Sequence, residues 1–157
     1  MRRSTKLVAI LLLVLSTIGF ASCDLTPQQL AAIQSHIAVR QQADGLCTSK
    51  TRSGSLREVN NCVTGWVIAN EQGETWDSFV CADYVVTGES DWRNVPNAAG
   101  GRSFGIPQAL PGSKMASHGA DWKTNPATQI RWMYDYMRDR YGSFCKAAAA
   151  KKAKGWY

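Results

Sequence analysis

The residues that build metal sites are scarce in this sequence of 157 residues. It has two histidines, His36 and His118, and none of its five cysteines forms a Cys-x-x-Cys pair. Structural zinc sites are built from cysteine and histidine at such spacings, so we expect no metal site and no cofactor. Both histidines are predicted to be solvated or hydrogen-bonded surface residues.

A run of apolar residues long enough to span a membrane is also lacking. The run over residues 7–21 is too short for a span and is interrupted by polar residues. It follows the basic residues Arg2, Arg3 and Lys6, an order that is typical of a secretory signal peptide. We assign residues 1–22 to this signal peptide, with an uncleaved anchor as the alternative.

The end of the signal segment is compatible with two kinds of processing, cleavage after Ala21 or lipidation of Cys23. Gly19 and Ala21 are small residues that suit cleavage after Ala21. Residues 20–23 also resemble a bacterial lipobox with Cys23 as the lipid acceptor, although Phe20 stands where an aliphatic residue is usual. We therefore predict a secreted or cell-envelope protein, and in the second case a membrane attachment through lipidated Cys23.

Four cysteines remain once Cys23 has left with the signal peptide or carries lipid. They are enough for two disulfides in an oxidising compartment, and they allow three connectivities. We favour Cys47–Cys62, because this pair closes a local loop, and Cys81–Cys145, because this pair ties a central helix to the chain near the C-terminus.

Positive charge is present but modest. The formal net charge of +6 falls to +3 when Arg2, Arg3 and Lys6 are removed, because 15 basic residues then face 12 acidic ones. This excess is too small and too local to indicate a nucleic-acid partner, but it suits an anionic polymer such as a cell wall.

Capping residues and apolar spacing predict that most of the mature chain is helical. Thr26 begins a first helix, with Pro27 in its first turn and Gln29 completing a capping box. Further helices are predicted over residues 76–86, around residues 114–117, from Asn125 to Gly142 and in the alanine-lysine segment that ends at Gly155. The helix before Gly142 carries one apolar stripe, formed by Ile130, Met133, Tyr134, Met137 and Tyr141.

Two segments have the composition of non-helical structure. Residues 45–61 are polar, and we expect a loop with a cysteine at each end. Prolines and glycines within residues 93–108 predict a small irregular β-hairpin. No internal repeat is present, so the predicted fold class is α+β, mainly α and disulfide-bonded.

Glu89 lies just past an apolar helix, next to Gly88. At a helix C-terminus the macrodipole presents partial negative charge, and apolar neighbours remove water from a carboxylate, so both effects favour the neutral acid. A carboxyl group that keeps its proton near neutral pH is what protonation of a glycosidic oxygen needs.

Several motifs follow Glu89 in order. Glu89–Ser90 and Gly105–Gln108 resemble the Glu-Ser and Gly-Leu-x-Gln motifs of soluble lytic transglycosylases, which belong to the lysozyme-like superfamily. Residues 108–116, 121–132 and 140–145 resemble the short secreted versions found in actinobacteria and their phages. We therefore predict a signal peptide over 1–22, a helix and disulfide loop with no family resemblance over 23–75, and a transglycosylase-like domain over 76–157.

The resemblance implies a lysozyme-like fold and cleavage of the β-1,4 bond between N-acetylmuramic acid and N-acetylglucosamine in peptidoglycan. Glu89 would protonate the bridging oxygen and would then, as a base, take a proton from the muramic C6 hydroxyl, which closes a 1,6-anhydro ring. The acetamido group of the substrate would stabilise the cationic centre, so no second protein carboxylate is required. Asp91, the nearest acid in sequence, has no role in the family pattern and is expected to be a solvated or turn-capping residue.

The resemblance also implies substrate contacts along glycan strands, by Ser90, Gly105, Ile106, Gln108, Trp156 and Tyr157. In the wider family a tyrosine from a late helix holds the catalytic carboxyl, and Tyr157 and Tyr141 are the candidates here. For two of these residues a structural role is the alternative to substrate contact. Gln108 would then bond the peptide groups of its own turn, and the Ser90 hydroxyl would bond nearby backbone. Trp92 and Trp122 belong either to the core or to a sugar-stacking surface.

The lysine-alanine tail departs from the family pattern, because relatives usually have aromatic residues after the final cysteine. This departure bears on the affinity for the substrate more than on the reaction itself. Two alternative functions follow: a lysozyme-like muramidase, in which water replaces the C6 hydroxyl, and a wall-binding domain with little turnover. In each case we expect a monomer.

Overall fold

The structure of the protein, a computed structural model, describes residues 25–50, 55–95 and 102–157. The predicted signal peptide, the lipobox at Cys23 and residues 96–101 of the predicted hairpin lie outside the described residues. The helices within these ranges are α1 (Pro27–Lys50), α2 (Leu56–Glu71), α3 (Trp76–Glu89), a 3-10 helix (Gly112–His118), α4 (Pro126–Tyr141) and α5 (Phe144–Lys154). None of them has the length and apolar character that crossing a membrane demands.

The prediction of a mainly helical chain is confirmed, whereas the β element is smaller than expected. The described residues contain no β-strand, only an isolated antiparallel bridge in which Phe104 and Ala109 exchange two backbone hydrogen bonds of 3.0 Å. A paired hairpin over residues 93–108 is therefore not present in the described part of that segment. Its turn is instead held by side chains from other elements, as shown below.

The chain divides into two compact units, residues 1–34 and 35–157. In the first unit the predicted capping box is present, because Thr26 Oγ1 accepts from Gln29 N at 3.2 Å and Gln29 Oε1 accepts from Thr26 N at 2.8 Å. Leu30 and Ile33, apolar residues of this part of α1, are exposed. Helix α1 continues into the second unit, where Ala43 and Cys47 are fully buried.

The loop predicted over residues 45–61 is wrong at both ends, because α1 continues to Lys50 and α2 begins at Leu56. One of the polar residues that indicated a loop is instead used in a tertiary contact. Asn61 is buried and donates from Nδ2 to the Trp92 carbonyl oxygen at 2.8 Å. Because this partner lies 31 residues further along the chain, the sequence around Asn61 did not show that it belongs to a helix.

The helices of the second unit begin and end at residues that the sequence marks. Thr75, Asn125 and Ser143 cap α3, α4 and α5 through side-chain oxygens that accept backbone N–H groups. Helices α4 and α5 end at Gly142 and Gly155, both with φ of 82°, a conformation that glycine adopts without steric penalty.

The core of the second unit lies between α2, α3, α4 and α5. The predicted stripe of α4 is confirmed, since four of its five residues are fully buried and Tyr141 is half-buried. The Tyr134 hydroxyl donates to the Gly65 carbonyl oxygen at 2.9 Å. Burial raises the pKa of Tyr134 well above its usual value near 10, so this hydroxyl remains a donor.

Both predicted disulfides are confirmed. Cys47–Cys62 joins α1 to α2 with a Cα–Cα distance of 5.7 Å, and Cys81–Cys145 joins α3 to α5 with a Cα–Cα distance of 4.9 Å. The two bridges thus close loops of different length, with sequence separations of 15 and 64 residues.

Because a crosslink restricts the unfolded chain more when it closes a longer loop, the two disulfides should differ in their effect. On chain-entropy reasoning, replacing Cys81 and Cys145 with serine should lower the free energy of unfolding by about 4 kcal/mol, against about 3 kcal/mol for Cys47 and Cys62. Urea unfolding of the two double variants measures this difference. Peptide mapping without reduction checks the pairing, and a crosslinked Cys47–Cys81 peptide would contradict it.

Candidate active site

A cleft of about 540 Å³ opens in the second unit where α3 ends. Among the described residues that line it, Glu89 is the one carboxylic acid. The other lining side chains that matter chemically are aromatic, cationic or amide: Arg93, Gln108, Lys114, Trp132, Tyr136, Arg140, Trp156 and Tyr157.

Glu89 is the last residue of α3, which extends three residues beyond its predicted end at Val86. Its side chain is 21% exposed and pairs with Lys151, whose side chain is 11% exposed. Lys151 Nζ donates to Glu89 Oε1 at 2.5 Å. Within the described residues, a lysine therefore lies beside the carboxyl, where the family resemblance implied a tyrosine.

Lys151 reaches Glu89 from α5 across Gly88. A Cβ atom at Gly88 would lie 2.6 Å from Lys151 Cε, so a larger residue there would displace the lysine side chain. Lys151 is not one of the described residues that line the cleft. It follows Ala147, which is fully buried, by four residues, and this helical spacing is the sequence signal that could have placed it on the inner face.

Tyr157 lies near this ion pair but bonds elsewhere. Its hydroxyl donates to the Pro107 carbonyl oxygen at 3.0 Å, and Lys151 Nζ lies 5.9 Å from its ring centroid. Burial, and next the charge of Glu89, raise the pKa of Tyr157 well above its usual value near 10. The hydroxyl is therefore a donor at neutral pH, and it ties the end of the chain to the turn at Pro107.

Tyr141, the other tyrosine candidate, does not hold Glu89 either. Its hydroxyl is buried, and its ring lies 6.5 Å from that of Tyr157. Burial raises the pKa of Tyr141, so it too remains protonated at neutral pH. Its ring packs instead with those of Tyr136 and Tyr157.

The turn of residues 105–108 is held by Gln129, a fully buried residue of α4. Gln129 Oε1 accepts from Ile106 N at 2.9 Å. Gln129 Nε2 donates to the Trp122 carbonyl oxygen and to Asn94 Oδ1, both at 2.7 Å. A single amide thus connects three segments around the cleft. The sequence carried no signal for this role beyond a polar residue within the α4 helix.

Gly105 and Gln108 serve the geometry of the same turn. Gly105 has φ of 76°, and a Cβ atom there would lie 2.6 Å from Gln129 Oε1, so the position requires glycine. Gln108 Nε2 donates to the carbonyl oxygens of Gly105 at 2.8 Å and Val95 at 3.2 Å. These bonds correspond to the local turn role, although Gln108 also lines the cleft.

Ser90 connects the end of α3 to this turn. It is buried, and its hydroxyl donates to the Ile106 carbonyl oxygen at 2.7 Å. This bond corresponds to the structural interpretation of Ser90. The backbone next to Glu89 is thus tied to the turn of residues 105–108, and the Glu89 side chain is held by Lys151.

The residues Trp132, Tyr136 and Arg140 form a cleft face of α4 that sequence reasoning missed. Trp132 and Tyr136 are stacked, with centroids 5.1 Å apart and an interplanar angle of 15°. The Arg140 guanidinium carbon lies 5.6 Å from the Tyr136 ring centroid and 5.7 Å from that of Trp156, which is 51% exposed. Their spacing of i, i+4 and i+8 was readable, but the apolar stripe was the stronger pattern.

The other tryptophans that were candidates for sugar stacking lie elsewhere. Trp92 is fully buried in the core, and its Nε1 donates to Asp83 Oδ1 at 2.9 Å. Trp122 packs edge-on against Phe104, with centroids 5.4 Å apart, outside the cleft lining. Asp91 was expected to be a solvated or turn-capping residue; it is buried, which excludes the solvated alternative, and it does not line the cleft in the described part of the chain.

A chain of Ser117, His118 and Asp135 has the residue types of a hydrolytic triad but not its arrangement. Ser117 Oγ lies 2.9 Å from His118 Nδ1, and His118 Nε2 lies 2.8 Å from Asp135 Oδ2. The Ser117 hydroxyl donates to the Lys114 carbonyl oxygen at 3.0 Å, so its proton is not directed to the histidine as nucleophile activation requires. His118 is thus a hydrogen-bonded surface residue, as predicted.

The charge of Asp135 depends on these same contacts. Burial by itself would raise the pKa of Asp135, but hydrogen bonds from His118 and Arg138 outweigh burial and lower the pKa. Arg138 also pairs with Glu74 at 3.1 Å, which connects α4 to the segment before α3. Within the described ranges, no group of three or more histidine, cysteine or acidic side chains could hold a metal ion.

Comparisons of the chain with models of known protein families, with curated proteins and with solved structures find no match. The function of the cleft is therefore inferred from its own residues and from the motifs that surround Glu89.

Replacing Gln129 with leucine should destabilise the protein, because it leaves the Ile106 N–H and the Trp122 carbonyl without their buried partner. The expected loss is about 3 kcal/mol in the free energy of unfolding. Arg131→Gln, at an exposed position of the same helix, is the matched control and should change stability little. Equal urea midpoints for the two variants would contradict the role of Gln129.

Proposed function

We propose that the protein is a peptidoglycan lytic transglycosylase in which Glu89 transfers the proton at the glycosidic bond. One observation carries the proposal: the acid marked by the Glu-Ser motif is also the acid that lines a cleft with aromatic and cationic walls. In this proposal the second unit has a lysozyme-like arrangement, with Pro107 and Gln108 lining the same cleft as Glu89.

The aromatic wall supports a carbohydrate substrate. The stacked rings of Trp132 and Tyr136 and the half-exposed ring of Trp156 offer flat apolar surfaces beside the acid. Sugar rings present apolar C–H faces that pack on such surfaces, while their hydroxyl and acetamido groups require polar partners at the edges. The side chains of Ser103 and Gln108, which line the cleft, provide such edges.

The charge of the cleft supports an anionic glycan. Arg93, Lys114 and Arg140 line it, and none of the three forms an ion pair with a carboxylate among the described residues. Cations without a carboxylate partner attract carboxylates, and the stem peptides of peptidoglycan carry carboxylate groups. A neutral polysaccharide would leave these charges without a partner.

The number of acids in the cleft favours the anhydro-forming mechanism over hydrolysis. Most hydrolytic glycosidases use a pair of carboxyl groups that flank the bond. Here Glu89 lines the cleft, whereas Asp91 is buried and does not, within the described residues. A mechanism in which the substrate supplies both the acetamido group and the C6 hydroxyl fits a single acid.

Glu89→Gln keeps the shape of the side chain but cannot transfer a proton, so muropeptide release should fall by about 10² or more. Asp91→Asn should retain most of its turnover when rates are corrected for the folded fraction. The measurement is muropeptide release from purified cell wall at matched protein concentration, with circular dichroism as the folding control. Release by Glu89→Gln at the wild-type rate would overturn the assignment.

Mass spectrometry of the released products separates the candidate functions. Anhydro-muropeptides are the expected products, and reducing muropeptides would indicate the muramidase. Binding to wall without release of products would indicate a wall-binding domain. A folded but inactive Asp91→Asn variant, together with reducing products, would favour a water-positioning role for that acid.

Arg140→Gln removes a cation from the cleft, so the KM for wall fragments with stem peptides should rise about fivefold, equivalent to about 1 kcal/mol. The effect should shrink in high salt, because exposed charges are screened. Arg131→Gln, on the same helix but outside the cleft lining, is the control. A KM that is unchanged by Arg140→Gln at low salt would show that this cation does not contact the substrate.

A further inference from the structure

We infer that Lys151 is a positioning residue for Glu89, which holds one carboxyl oxygen so that the other transfers the proton. This inference rests on the proposed function. It gives a lysine the role that the sequence indicated for Tyr157 or Tyr141.

The two oxygens of Glu89 differ in their surroundings. Oε1 accepts from Lys151 Nζ at 2.5 Å, whereas Oε2 makes no hydrogen bond to any described residue. A single donor on one oxygen restricts rotation of the carboxyl group. Because Glu89 lines the cleft, Oε2 is the oxygen that remains for a substrate.

Lys151 approaches Glu89 from inside the protein. Its side chain is 11% exposed, packs over Gly88 and is not part of the described cleft lining. A lysine that blocked the site would have to stand in the cleft and leave it when substrate binds. Lys151 can keep its contact with Glu89 while the cleft is occupied.

The connection between the two helices keeps this contact fixed. Glu89 ends α3, Lys151 lies in α5, and the disulfide Cys81–Cys145 joins the same two helices. Ala147, between the disulfide and Lys151, is fully buried.

One donor on Oε1 suits both halves of the proposed reaction. In the first, the proton on Oε2 passes to the bridging oxygen as the bond from that oxygen to C1 breaks. In the second, Oε2 takes the proton of the C6 hydroxyl as the bond from O6 to C1 forms. Glu89 then regains its starting form, and Lys151 keeps all its protons throughout, since Oε1 accepts its hydrogen bond in either state.

The test compares Lys151→Met, which keeps the length of the side chain and removes its charge, with Lys152→Met, an exposed neighbour on the same helix. If Lys151 positions Glu89, kcat for muropeptide release should fall about 10²-fold while KM changes less than about twofold. Lys151→Arg should restore part of kcat because it restores a charged donor. Lys152→Met should match the wild type. Thermal unfolding confirms that each variant is folded.

A double variant separates positioning from a general structural effect. Because Lys151 acts through Glu89, Lys151→Met should cause no further loss of kcat in the Glu89→Gln background. A full additional loss there, or wild-type kcat in the single Lys151→Met variant, would overturn the role of Lys151. A rise of kcat in Lys151→Met would show that the lysine obstructs the site, which also contradicts positioning.

These outcomes distinguish the two proposals. Inactive Glu89→Gln with fully active Lys151→Met would overturn only the role of Lys151. Fully active Glu89→Gln would overturn the proposed function and, with it, the role of Lys151.

Discussion

The packing of α3 against α5 determines where the chemistry of the second unit can occur. Cys81–Cys145 joins the two helices, and Gly88 leaves room for the Lys151 side chain to cross to Glu89. Insertion of one residue into α5 before Lys151 would rotate the lysine away from the acid, because successive helix positions differ by about 100°. The ion pair is therefore a consequence of helix register, which the disulfide and the buried face of α5 hold in place.

A second constraint arises on α4, which serves the core and the cleft with different faces. Its fully buried residues include Gln129, whose amide holds the turn of residues 105–108, and Pro107 and Gln108 of that turn line the cleft. Trp132 and Tyr136 face the cleft from the same helix. A rigid helix that is fixed in the core thus positions both the aromatic surface and the turn, which is more exact than a loop could achieve.

Local signals in the sequence predicted the helices, and three-dimensional contacts explain where prediction failed. Thr75, Asn125, Gly142 and Gly155 act over a few residues, so their roles as caps could be read directly. The helical ends of segment 45–61 were missed, and one of its polar residues, Asn61, has its buried partner 31 residues further along the chain. The partnership of Glu89 with Lys151 spans 62 residues, and no local pattern encodes such a distance.

The lysine-alanine composition of α5 has a structural role in this arrangement. Ala147 is fully buried, so α5 lies close against the core, and the long side chain of Lys151 bridges the remaining gap to Glu89. In the described lining of the cleft, the aromatic side chains come from α4 and from Trp156 and Tyr157 rather than from α5. Helix α5 thus supplies the partner of the acid, while α4 and the last two residues supply the aromatic surface of the cleft.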